Sequence, residues 1–115
     1  MKKAYYLGQC STCQRILNEV NWKGQLQDIR IEKISEKQLD QMANMSGSYG
    51  ALFSRRAIKY KSMGLKDKAL SESDYRQLIL EEDTFLKRPV FIVNDKIFVG
   101  NSKKTIEALN SSLNE

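Results

Sequence analysis

Gly8-Gln9-Cys10-Ser11-Thr12-Cys13-Gln14-Arg15 is the stretch whose reading decides the architecture. Ahead of it, Lys3-Ala4-Tyr5-Tyr6-Leu7 reads as a short, aromatic-rich strand. From Cys13 onward a helical pattern begins, with Ile16, Leu17 and Val20 on one face. Asn21 to Gly24 breaks that helix, and Leu26 to Ile34 holds an alternating set, Ile29, Ile31 and Ile34, that reads as a second strand. The three pieces make a β-α-β unit with the cysteine pair at the strand-to-helix junction.

Cys-x-x-Cys at the start of a helix has a physical purpose. The first cysteine lies where free backbone N–H groups and the helix dipole favour negative charge, so its thiolate, the attacking species, is favoured. The second lies about a turn deeper and can close a disulfide onto the first. An anion can rest on the same N–H groups. Ser11 and Thr12 add hydroxyl donors, and Arg15 adds charge. The competing reading is half a zinc site or two incidental buried cysteines. Cys10 and Cys13 alone supply only two of the four ligands a structural zinc takes.

Composition narrows the chemistry further. The chain has 115 residues, enough for one compact domain, 1–115. It has two cysteines and no histidine, which excludes Ser-His and Cys-His catalytic pairs and a disulfide-scaffolded secreted domain. No apolar run approaches a membrane span, and no signal-peptide pattern opens the chain, so the expected location is the cytoplasm. The net charge of +5 favours anionic partners, against the plainer alternative of a merely soluble basic surface.

Further along, Ser35-Glu36-Lys37-Gln38 matches a capping box and opens a helix through Leu39, Met42 and Met45. Leu52 to Met63 reads as helical, ending near Gly64. Ser71-Glu72-Ser73-Asp74 starts another helix, followed by Tyr75, Leu78, Ile79 and Phe85 or Leu86. Val90-Phe91-Ile92-Val93 and Ile97-Phe98-Val99 flank Asn94-Asp95-Lys96 as a hairpin, and Ser102 caps a last helix through Ile106, Leu109 and Leu113. The order is β-α-β, helices, then β-β-α. With a Cys-x-x-Cys at the first junction, the expected fold class is α/β with a thioredoxin-like mixed sheet. That fold places a cis proline at the start of the strand facing the redox loop, and Pro89, the only proline, stands there as a groove-shaping residue. The alternative is a trans proline opening an ordinary strand. Arg88 before it carries a planar fork suited to an oxyanion at the cysteine loop, or is a solvated surface arginine.

Cys10-Ser11-Thr12-Cys13, Leu52-Phe53-Ser54-Arg55-Arg56 with Tyr60, Gly64-Leu65, and Leu86-Lys87-Arg88-Pro89-Val90 with Val99-Gly100 together resemble the glutaredoxin-coupled arsenate reductase family, which also includes Spx-like transcription regulators. The resemblance runs through nearly the whole chain. It implies a helical insertion at roughly 35–85 within the thioredoxin-like sheet, and a catalytic cysteine that attacks arsenate, matched by Cys10. It also implies arginines that hold the oxyanion, matched by Arg88, and regeneration by glutathione and glutaredoxin. The family's inserted-helix arginine aligns with Ser54, leaving Arg55 and Arg56 as its neighbours, and the arginine after the hairpin is replaced by Lys103 and Lys104. The implied function is a thiol-dependent oxidoreductase, a monomer with no bound cofactor and no metal, taking glutathione as co-substrate. The alternatives are an Spx-like redox sensor that binds RNA polymerase, without direct nucleic-acid contact, or a member without arsenate activity.

Overall fold

The structure, a computed structural model, describes residues 1–115. The elements, numbered along the chain, are β1 (Lys2–Tyr6), α1 (Ser11–Glu19), β2 (Gln25–Asp28), α2 (Glu36–Ser46), α3 (Ile58–Ser62), α4 (Glu72–Glu81), β3 (Val90–Val93), β4 (Lys96–Val99) and α5 (Lys103–Leu113). They form two compact units, one of Met1–Lys33 with Arg88–Glu115 and the other of Ile34–Lys87. No helix is long and apolar enough to cross a membrane.

The first unit holds the sheet, in the order β2-β1-β3-β4. β1 runs parallel to β2, as the crossover through α1 demands, and antiparallel to β3, which pairs antiparallel with β4. This β-α-β then β-β-α arrangement on a mixed sheet is the thioredoxin-like fold. β3 is flanked on both sides, and all four of its residues are buried, which is why Val90-Phe91-Ile92-Val93 reads as an unbroken apolar run. Register places Ala4, Phe91 and Phe98 on one face. Ile16 and Val20 of α1 and Leu109 of α5 pack into the same cluster, with Leu17, Trp22, Ile106 and Leu113 around it. The Trp22 ring lies 5.0 Å from Phe91, and its N–H donates to the Gln25 carbonyl at 3.0 Å. Each such large apolar side chain contributes roughly 1.5–3 kcal/mol on burial.

Three local readings change here. α1 starts at Ser11, with Cys10 at its N-cap, rather than at Cys13. The Cys10 sulfur accepts the Cys13 N–H at 3.4 Å, a capping role that apolar periodicity does not display. β2 stops at Asp28 instead of running to Ile34, because the Ile31 and Glu32 N–H groups both turn back to the Asp28 carbonyl, at 3.1 and 2.8 Å. Ile31 is accordingly 86% exposed while Ile29 and Ile34 are buried, so the three isoleucines do not share one strand face. Lys96 already pairs with Val93, which shortens the hairpin loop to Asn94-Asp95, with Asn94 at φ 57°.

The second unit is helical. Ser35 and Gln38 exchange side chain and backbone at the start of α2, at 3.0 and 3.1 Å, and Ser71 and Asp74 do the same at α4, at 3.2 and 2.9 Å. α2 ends at Gly47, whose φ of 101° suits glycine. Residues 52–63 are not one helix. Gly50–Leu52 is a 3-10 turn, Phe53 is extended and bridges Leu86, and only Ile58–Ser62 is α-helical. α4 likewise ends at Glu81, with Phe85 in the turn Asp83–Phe85 and Leu86 in the bridge. One cause serves both differences. Ser54 N–H donates to the Phe85 carbonyl at 2.7 Å and Lys87 N–H to the Leu52 carbonyl at 2.8 Å, while the Phe53 and Phe85 rings stack at 5.0 Å. These long-range partners hold the backbone extended where local propensity favours a helix.

Candidate active site

The antiparallel register sets Tyr5 opposite Val90, so the C-terminal end of β1 and the N-terminal end of β3 share one edge of the sheet. The loop from Leu7 to Cys10 leaves that edge on one side, and Arg88-Pro89 arrives at it on the other. The Arg88–Pro89 peptide bond is cis, and Pro89 is buried. Cys10 N–H donates to the Leu7 carbonyl at 3.0 Å, which folds the loop back so that Cys10, in extended conformation, caps α1. Ser11 is exposed and Thr12 half-buried in the first turn.

The two thiols meet different surroundings. Burial pushes the Cys10 thiol up, but hydrogen bonds from the Cys13 side chain and backbone N–H, the charge of Arg88 and the Thr12 N–H outweigh it, and the thiol lies below its ordinary range. Cys13 is fully buried; burial pushes its thiol up, a hydrogen bond with the Leu7 backbone partly offsets this, and the nearby Cys10 raises it further, to about 11. No disulfide joins the two cysteines in this structure. At neutral pH Cys13 is protonated, and the half-buried Cys10 is the more readily ionised of the two thiols and the candidate nucleophile.

The profile of the ArsC family matches residues 5–109. The chain belongs to the ArsC family. It is 25% identical over 109 residues to the uncharacterized protein YusI of Bacillus subtilis (strain 168), covering 90% of this chain and 92% of that one. Among solved structures, the arsenate reductase from Vibrio cholerae superposes with a TM-score of 0.76 at 18% identity, covering 94% of each chain. An arsenate reductase (ArsC) related protein from Brucella melitensis gives 0.71 at 20%, covering 93% of this chain and 92% of that chain. At these identities the structural likeness establishes the fold, and the family places this ArsC chain among thiol-redox proteins.

The remaining candidate residues of this ArsC protein divide by unit. Arg15 is exposed and reaches along α1, away from Cys10, to Glu19 at 3.2 Å. Arg88, not Arg15, is the guanidinium whose charge bears on Cys10. Arg55 and Arg56 lie in the second unit, where Arg55 donates to the Tyr75 hydroxyl at 3.0 Å with its guanidinium 5.7 Å from that ring, and Arg56 is exposed. Two side chains that sequence reading passed over hold the Cys10 loop. Asp28 accepts the Gly8 N–H at 3.0 Å, and Gln14 donates to the Gly8 carbonyl at 3.3 Å. Asp28 was hidden inside a segment that alternation assigns to the middle of a strand.

Proposed function

We propose that the protein is a thiol-dependent oxidoreductase of the arsenate reductase type, working with glutathione and glutaredoxin in the cytoplasm. The observation that carries this reading is Cys10 at the N-cap of α1 under the charge of Arg88, a thiolate and a cation beside helix N–H groups. The Cys10 thiolate forms an S–As bond with arsenate as an As–O bond breaks and the oxygen leaves as water. Glutathione supplies the second thiol; its sulfur pairs with that of Cys10 as a disulfide, the electron pair reduces As(V) to As(III), and arsenite departs. Glutaredoxin, with its own thiol, then reduces the Cys10–glutathione disulfide. A thiol raised to about 11 is protonated at neutral pH, which favours glutathione over Cys13 as the first resolving thiol. Arg88 binds the oxyanion, with Ser11, Thr12 and the helix N–H groups around it.

The test is arsenate-dependent consumption of glutathione in the presence of glutaredoxin. Wild type should turn over and Cys10→Ser should not. Arg88→Lys keeps the charge but loses the fork, and should lower kcat/KM about tenfold or more with little change in Tm. A second reading, an Spx-like redox sensor that binds RNA polymerase, is favoured by the Cys13 N–H resting on the Cys10 sulfur, which sets the two cysteines for a switchable disulfide. A polymerase pull-down with reduced and oxidised protein runs beside the assay. An inactive wild type that captures polymerase in one redox state only would replace the enzyme reading with the regulator.

A further inference from the structure

We infer that Asp28 is a positioning residue for the Cys10 thiolate, acting through the backbone of Gly8; the inference rests on the reading of Cys10 as the reactive thiol. Asp28 ends β2, paired in register with Tyr6 at the end of β1. Its Oδ2 accepts the Gly8 N–H at 3.0 Å and its Oδ1 accepts the Arg30 N–H at 3.0 Å. Both carboxylate oxygens are thus held by backbone donors, and the carboxylate is fixed in place rather than free to swing. Gly8 is held a second time, through its carbonyl, by Gln14 of α1. The three-residue path from Gly8 to Cys10 is therefore anchored where it leaves the sheet, tied to the helix it feeds, and folded back by the Cys10 N–H on the Leu7 carbonyl at 3.0 Å. That path sets the extended conformation of Cys10, and with it the direction of the sulfur toward the Cys13 N–H.

Gly8 is the counterpart of this contact. A Cβ built there would lie 2.4 Å from Asp28 Oδ2 and 3.6 Å from its Cγ, and would meet no other atom within 4 Å. Any side chain at position 8 displaces the carboxylate, and nothing else obstructs it. The tie and the glycine are one device, readable as a pair: Gly8→Ala and Asp28→Ala break the same contact from its two ends.

The experiment measures the alkylation rate of Cys10 against pH in the intact chain, with peptide-level mass spectrometry to separate Cys10 from Cys13. In Asp28→Ala the inflection should move up, and the rate at pH 7 should fall about threefold to tenfold, since the rate below the inflection follows the thiolate fraction. Gly8→Ala should do the same. Asp28→Asn, which keeps one acceptor oxygen, should fall between wild type and Asp28→Ala. The double variant Gly8→Ala, Asp28→Ala should match Asp28→Ala alone, because the only atoms the new methyl group meets are gone. A general loss of stability would move Tm but not the inflection, so the pH profile separates positioning from folding. A depressed wild-type inflection left unchanged by Asp28→Ala overturns the inference alone, as do effects of the two substitutions that simply add. An ordinary inflection in wild type overturns the reading of Cys10 and the inference with it.

Discussion

Cys10 and Cys13 are the same side chain three positions apart, and one helical turn gives them opposite electrostatics. Arg88 bears on both thiols, but Cys10 caps the helix and accepts hydrogen bonds there, whereas Cys13 lies inside, where burial and the neighbouring Cys10 outweigh the cation. Their pH dependence follows with opposite signs. Burial first, then Cys10, raises Cys13 to about 11 from an ordinary 9.0, so its contribution to stability is fully present below pH 9 and is lost as pH rises toward 11. Cys10 is depressed, so its contribution is present above the ordinary thiol value and is lost as pH falls through the lower, folded value. Thermal unfolding under reducing conditions checks this. From pH 9 to 11 the Tm of wild type should fall more steeply than that of Cys13→Ala, which lacks the titrating group. Parallel curves would show that the fold does not hold the Cys13 proton. At neutral pH an alkylating agent should label Cys10 before Cys13, and the reverse order would exchange their roles.

Helix starts and helix packing act on separate energy scales. At α2, Ser35 and Gln38 satisfy two donors that the first turn leaves open. Ser35→Ala should cost about 0.5–2 kcal/mol in denaturant unfolding. Ile16 of α1 is fully buried against Ala4, Phe91 and Leu109, and Ile16→Ala should cost about 2–5 kcal/mol, the spread reflecting how far the cavity relaxes. Equal losses for the two variants would mean that α1 is packed less tightly than its burial implies. The cap of α4 differs in carrying a charge. The backbone N–H and hydroxyl of Ser71 hold the Asp74 carboxyl below the usual carboxylate range, so this cap is complete above about pH 4 and weakens as pH falls through the folded value. Acid should therefore narrow the stability gap between wild type and Ser71→Ala, whereas the gap for Ser35→Ala should stay constant over the same range. A pH-independent gap at Ser71 would remove the carboxylate from the cap.

At the scale of the molecule, charge and protection are unevenly distributed. Arg55, Arg56, Lys59, Lys61, Lys66 and Lys68 stand against the single acid Asp67 within residues 55–68, a surplus of five, and the chain's net charge is +5. The rest of the sequence is balanced, a concentration that the interspersed lysines conceal in a reading along the chain. The same stretch contains Ile58, 87% exposed, and Met63, 46% exposed, and only the five residues of α3 are α-helical. β3, by contrast, is paired on both edges and buried on both faces. Native-state hydrogen exchange should find the slowest amides in β1 and β3 and fast exchange through residues 54–68, because local opening costs least where few apolar contacts are lost. Comparable protection in the two regions would contradict this ranking.

The sequence by itself determined whatever depends on short separations. The cysteine pair after a strand, the apolar run of β3, the serine caps of α2 and α4, and the hairpin at Asn94 are all set by residues within a few positions of each other. With them came the thioredoxin-like class and Cys10 as the candidate nucleophile. Tertiary structure alone decided what depends on distant partners. Phe53 is extended because Leu86 and Phe85 meet it from more than thirty residues away. The Asp28 carboxylate, at the end of β2, is taken by Gly8, twenty residues earlier. The choice of Arg88 over Arg15 beside Cys10 comes from the antiparallel pairing of β1 with β3. Local periodicity records which face of an element is apolar. It does not record which distant backbone groups will claim that element's hydrogen bonds, and those partners fixed the ends of the elements and the surroundings of the thiol.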